Sequence, residues 1–259
     1  MMKSSKAFRH ALCSAALSSS LCFAQGSAGT GGKLEPRSLV DVPTAGMLPK
    51  GTINLDVDFY QEGGVLLGVS FGIVDRLSLG VSYGGSNLIG GNTPVMNEVP
   101  GMHAKIRLLE ESFVLPALAL GFDSQGKDGY LKDLDRYKIK SPGFYAVASK
   151  NYTFLGFMSL HGGINYSLER SDGDEDVNVF AGLEKTLGPV ASLVLEYNLA
   201  SNDSNAKAVG RGRGYLNAGL RWSIGGGLTL GASLKDIAKN GGDVSIGNRT
   251  VQIEYIRPL

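Results

Sequence analysis

Val65, Leu67, Val69, Phe71 and Ile73 alternate along the chain with Leu66, Gly68, Ser70 and Gly72. Successive side chains of an extended backbone point to opposite faces, so a period of two places the apolar set on one face of a β-strand. Past Val74 to Arg76 the pattern resumes, with Leu77, Leu79, Val81 and Tyr83 opposite Ser78, Gly80, Ser82 and Gly84, which predicts a hairpin. The same rule predicts about twelve strands in all, near 51–60, 65–73, 77–84, 102–109, 113–122, 143–151, 157–168, 177–185, 190–198, 214–224, 228–235 and 250–257. The sixth, from Phe144 to Lys150, differs in carrying apolar groups on both faces.

The joints between these segments sort by parity. After even-numbered strands they are short (74–76, 110–112, 152–156, 186–189, 225–227), and after odd-numbered strands they are long (85–101, 123–142, 169–176, 199–213, 236–249), apart from 61–64. Outer-membrane barrels have short periplasmic turns and longer external loops, whereas a soluble β-sandwich has no reason to sort its connections. The expected fold class is therefore all-β: a transmembrane antiparallel up-and-down β-barrel with both termini in the periplasm. On its apolar face, Phe59, Tyr83, Phe122, Tyr145, Tyr166 and Tyr197 fall near the outer strand ends, and Phe71, Trp222 and Tyr255 near the periplasmic ends. Two interfacial aromatic girdles are expected at those levels.

Ahead of the first strand, Lys3, Lys6 and Arg9 precede an uncharged run from Ala11 to Phe23, and Ala24 precedes Gln25. That order reads as a secretory signal peptide over residues 1–24. The run is shorter than the roughly 20 apolar residues a spanning helix needs. Residues 25–50 then read as a periplasmic N-terminal segment and 51–259 as the barrel. Cys13 and Cys22 both fall in the signal peptide, so no thiol chemistry is expected of the mature chain. Without residues 1–24, 22 basic residues face 24 acidic ones, a net charge of −2, which argues against a nucleic-acid partner. Glycine supplies 37 of 259 residues, many alternating with apolar ones, as expected where inward glycines keep a small barrel from overfilling.

With the apolar faces turned to lipid, the lumen is lined by Asn54, Asp56 and Asp58, then His103, Lys105 and Arg107, then His161 and Asn165, and later Glu184, Glu196, Arg221, Lys235, Gln252 and Glu254. Both charge signs are present in a bore that is narrow at this strand number. Opposite charges across such a space pair, because isolated buried charge is costly. One expectation is thus an ion-paired, largely plugged lumen; another is a narrow channel for small hydrophilic or anionic solutes with Lys105, Arg107 and Arg221 as a basic ladder. A barrel hydrolase is the third, with His103 near Asp58 as its base. No cofactor or metal is expected: the run Asp172, Gly173, Asp174, Glu175, Asp176 has Val177 where a calcium loop needs its turn glycine. Expected partners are outer-membrane lipid and lipopolysaccharide, the latter met by the loop Gly210 to Gly214 with its two arginines, together with polysaccharide or small solutes.

Three blocks, Asp41 to Gly51 (DVPTAGMLPKG), Pro116 to Asp123 (PALALGFD) and Phe144 to Lys150 (FYAVASK), resemble the YjbH-like group of outer-membrane proteins associated with exopolysaccharide production. The resemblance implies outer-membrane placement and a link to polysaccharide export. It carries over no catalytic residues.

Overall fold

The computed structural model describes residues 26–241 and 248–259. The expected signal peptide lies outside them. The strands are β1 (Thr52–Tyr60), β2 (Gly64–Val74), β3 (Leu77–Ser86), β4 (Val95–Met96), β5 (Gly101–Leu109), β6 (Ala117–Asp123), β7 (Lys127–Leu131), β8 (Arg136–Ile139), β9 (Gly143–Thr153), β10 (Phe157–Tyr166), β11 (Asn178–Leu187), β12 (Ala191–Asn198), β13 (Tyr215–Gly225), β14 (Leu228–Lys235) and β15 (Asn248–Pro258). β1 pairs with both β2 and β15, so the sheet closes on itself. The circuit runs β1, β2, β3, β5, β6, β9 to β15 and back to β1, twelve antiparallel strands, with β4 a two-residue addition to β3. β7 and β8 form a separate hairpin.

All twelve expected strands are present. The fifth begins later than its pattern suggested, at Ala117, because Pro116 precedes it and Ser112 closes a tight turn on Leu115 (3.0 Å in both directions). Short connections gather at one end of the barrel and long ones at the other. At the short-turn end, Gly225, Gly226 and Gly227 take φ values of 126°, 60° and 89° between β13 and β14, a left-handed run that side chains resist.

Alternation fixes what faces out. Leu55, Leu67, Val81, Ile106, Leu120, Ile164, Leu195, Leu220 and Val251 are exposed on the outer surface. The charged residues at outward strand positions are Lys150, Lys185, Arg249 and Arg257, each within three residues of a strand end. Lys150 and Lys185 reach back to carbonyls of the short turns, Ser112 and Phe113 for the first and Leu155 for the second, as snorkelling cations do. Phe59, Tyr83, Phe122, Tyr166 and Tyr197 lie within three residues of the long-loop ends of their strands, and Phe71, Trp222 and Tyr255 within three of the short-turn ends.

Tyr145 is a correction. It faces inward and is buried, and Phe144 takes the outer position, its ring tilted against that of Phe122 with centroids 4.9 Å apart. The reason lies in a larger departure from expectation: residues 26–50 do not extend away from the barrel but fill it. The segment enters at the short-turn end, where Thr30 N–H bonds the carbonyl of Gly188 (2.9 Å). It turns back at Leu39 to Val42, whose N–H and C=O close at 3.0 Å, and leaves beside Gly72, which accepts from Gly51 N–H (2.8 Å). Leu39, Val42 and Ala45 of this hairpin pack on Ala117, Ala119, Tyr145, Val147, Phe180 and Val194 of the wall. The apolar inner face of β9 is thus one side of a hydrophobic core inside the barrel.

Candidate functional site

The N-terminal hairpin is a plug, and wall residues hold it by three kinds of contact. Along β6, β9, β11 and β12 the contact is the apolar core just described. Gly182 makes room for it, since a side chain there would run into Leu39. At the tip, the buried Glu196 carboxylate accepts N–H groups from Val40 (2.8 Å), Asp41 (2.9 Å) and Val42 (3.1 Å) and the Asn217 amide (2.7 Å). A carboxylate facing successive backbone donors uses the strong, charge-assisted form of the hydrogen bond. On the β5 side, Lys105 Nζ donates to the carbonyls of Arg37 (2.9 Å), Thr44 (3.0 Å) and Gly46 (3.2 Å), and Arg107 donates to Ala45 O (3.1 Å) and to Glu35 (3.1 Å).

A ladder of ion pairs runs up the β13 to β1 side. Arg37 of the plug bridges Asp56 (3.2 Å) and Glu254 (3.3 Å), and Glu254 also meets Arg221 (3.0 Å). Arg221 donates in addition to Ser27 (2.7 Å). At the tip, Lys235 lies between Asp41 of the plug (2.9 Å) and Asp128 of the β7–β8 hairpin (2.8 Å). Plug and hairpin therefore meet across one lysine, and the lumen is filled from both ends.

Asp56, Lys105, Arg107, Glu196, Arg221, Lys235 and Glu254 all hold the plug. Lys105, Arg107 and Arg221 are engaged by plug carbonyls and by carboxylates, so they form no free basic ladder. His161 is buried with Nδ1 2.7 Å from Ser149 Oγ, while Ser149 accepts Ala45 N–H at 2.9 Å. Glu184 is buried on the inner face of β11. His103 lies 2.9 Å from Ser70 Oγ rather than on Asp58, although both line one cavity. Sequence reasoning did not reach Glu35, Arg37, Asp41 or Lys127. The signal that could have led to them was the apolar inner set Tyr145, Val147, Phe180 and Val194, for which a hydrated bore has no use.

That cavity, of about 110 Å³, lies between the plug and the β1, β3, β5 and β6 wall, bordered by Arg37, Asp56, Asp58, His103, Lys105, Asp123 and Lys127. A second hollow, of about 230 Å³, opens on the short-turn side of the plug between Glu35, Glu110, Glu111, Ser149 and His161. The returning arm of the plug, Thr44 to Gly46, and Arg107 line this second hollow, and Lys105, whose Nζ bonds the carbonyls of Thr44 and Gly46, lines the first.

At the long-loop end, Arg136 of β8 is fully buried between Asp172 (2.6 Å) and Asp203 (2.7 Å), and Lys140 also reaches Asp172 (2.9 Å). The β7–β8 hairpin is thereby tied to two further loops. Burial works to raise the Asp172 pKa, but Lys140, the Asp174 N–H and Arg136 outweigh it and hold the carboxyl below its ordinary range. Burial pushes Glu169 the other way, above its usual value. With its carboxylate bonded to two cations, Asp172 has the role of a structural clamp, and no group of three metal-ligating side chains occurs among the described residues. Gly210, in the glycine-rich loop, bridges to Gly241.

No family model matches the chain, and no curated protein matches it. Solved structures with a similar course of chain include the KdgM porin, at 10% identity and a TM-score of 0.48, covering 79% of this chain and 98% of that one. The translocator domain of the autotransporter NalP from Neisseria meningitidis matches at 15% identity and a TM-score of 0.39, covering 80% of this chain and 86% of that one. An outer membrane channel from Pseudomonas putida F1 matches at 13% identity and a TM-score of 0.42, covering 81% and 96%.

Proposed function

We propose that this chain is a non-enzymatic β-barrel of the bacterial outer membrane whose N-terminal hairpin holds the lumen closed, and that small polar solutes pass when the hairpin is displaced. Membrane placement is supported by the outer surface: a closed wall whose aliphatic belt is broken by charge only near the strand ends. Soluble proteins rarely expose contiguous apolar area of more than a few hundred Å². The short turns then face the periplasm and the long loops the outside, the arrangement usual for such barrels.

The observation that carries the closed resting state is the plug itself, with its tip seated on Glu196 and its arms on Lys105, Arg107 and Arg221. The hollows on either side of the Thr44 to Gly46 arm favour solute passage over a purely structural barrel, because moving that arm joins them along β5. A link to exopolysaccharide secretion rests on the family resemblance alone.

The test is planar-bilayer recording of the refolded mature chain beside a variant lacking residues 26–47. Silence from the full chain and stable conductance steps from the truncated one are expected. Equal, stable conductance from both would contradict a closing role for the segment.

A further inference from the structure

We infer that the cavity beside the plug binds a small zwitterion, a solute of amino-acid size with one ammonium and one carboxylate group, entering from the long-loop end. This deepens the proposed passage of small polar solutes and rests on it. Of the charged groups around the cavity, Lys105 is engaged by three plug carbonyls, Arg37 and Asp56 bond each other, and Asp41 is held by Lys235 and the Asn217 amide. Asp58, Asp123 and Lys127 remain with capacity to spare. The Asp123 carboxylate accepts from Gln125 N–H (2.8 Å), although a carboxylate has about four acceptor sites. Asp58 meets Lys127 at 3.8 Å, longer than a hydrogen bond. The buried Nε of Arg37 donates to no protein atom.

The lining thus brings acceptors on Asp58 and Asp123 of the wall, a donor on Lys127 of the β7–β8 hairpin and the Arg37 guanidinium of the plug to the border of a single space. A lone cation would leave the donors unsatisfied, and a lone anion would leave the acceptors so; buried polar groups without partners are costly. A dipolar solute answers both. A volume of about 110 Å³ has room for several waters or for one solute of about five or six non-hydrogen atoms, the size of glycine or alanine. Two smaller hollows of about 30 Å³ each lie toward the loops and share Asp41 and Lys127 with the cavity, so Lys127, on the β7–β8 hairpin, stands at its outer mouth.

The experiment is calorimetric titration of the refolded, detergent-solubilised mature chain with glycine, acetate and methylammonium, repeated on Asp123→Asn and Asp58→Asn. Saturable glycine binding is expected, with acetate and methylammonium each about tenfold weaker or more, and with glycine affinity lowered about tenfold in at least one variant that still folds. Absence of saturable glycine binding to the folded chain overturns the inference. So does acetate or methylammonium binding as tightly as glycine, or unchanged glycine affinity in both variants. The titration needs no open pore, so its failure is distinct from a failure of the conductance test.

Discussion

Glu196 concentrates the plug's dependence on single side chains. It lies almost wholly inside the protein, and its one carboxylate answers three consecutive backbone N–H groups that no other atom of the wall reaches. Truncation leaves those donors, fully buried at Val42 and partly buried at Val40 and Asp41, without their acceptor, at about 1–3 kcal/mol for each that water does not reach. Glu196→Ala is therefore predicted to raise the open probability in single-channel records sharply. Glu196→Gln keeps an acceptor oxygen and is predicted to fall between the two. If the alanine variant records as silent as the parent, the tip is held by something else. At this scale the sequence was half legible. Alternation placed Glu196 and its charged neighbours on the inner face, because period two depends on nothing but backbone geometry. Their partners lie on the plug, 154 to 156 residues away for Glu196, and no local pattern announces that distance.

Among the elements, the strands were legible and their fillings were not. Each wall strand has one face in contact with the outer medium, so its apolar stripe marks it wherever it falls. The hairpins inside the barrel have no such stripe. Leu39, Val42 and Ala45 sit among prolines, glycines and charges because one flank of the plug meets an apolar wall and the other meets ions. The double-sided apolar character of β9 was the visible trace of this, and it read as ambiguity. The β7–β8 hairpin was hidden in a long loop for the same reason, since Arg136 and Lys140 hold it by charge.

That attachment predicts a response to acid. A carboxylate whose folded pKa is depressed contributes stability that is complete above its unfolded value, 3.8 for Asp172, and that is lost as pH falls through the lower folded value. Amide exchange protection over 136–140, corrected for intrinsic rates and referred to β14, should fall below about pH 4. The raised Glu169 acts in the opposite sense, so the informative quantity is the difference from Asp172→Asn, which should lose most of the pH response. Protection that is flat in the parent between pH 7 and pH 3 would contradict the clamp.

As a whole molecule, the barrel inverts the usual distribution of a soluble domain: its ionic network is inside and its aliphatic surface outside. A charge at the middle of a lipid-facing strand is then predicted to cost about 2–4 kcal/mol, and one near the rim far less. Leu220→Arg, five residues from either end of β13, should lower the stability of the refolded barrel in lipid by that order, read from denaturant midpoints, whereas Leu187→Arg, at the short-turn end of β11, should cost about 1 kcal/mol or less. Equal effects at the two depths would argue against a membrane around the belt.

The central claim, that the N-terminal hairpin closes the lumen from within, is tested most directly by locking it there. The described residues hold no cysteine, and Ala45 N lies 2.9 Å from Ser149 Oγ, so Ala45→Cys with Ser149→Cys places one thiol on the plug and one on β9. The measurement is single-channel conductance of Glu196→Ala carrying this pair, oxidised and then reduced. The account predicts a barrel silent when oxidised and conducting once the disulfide is reduced; conductance unaffected by a disulfide shown to have formed would contradict it.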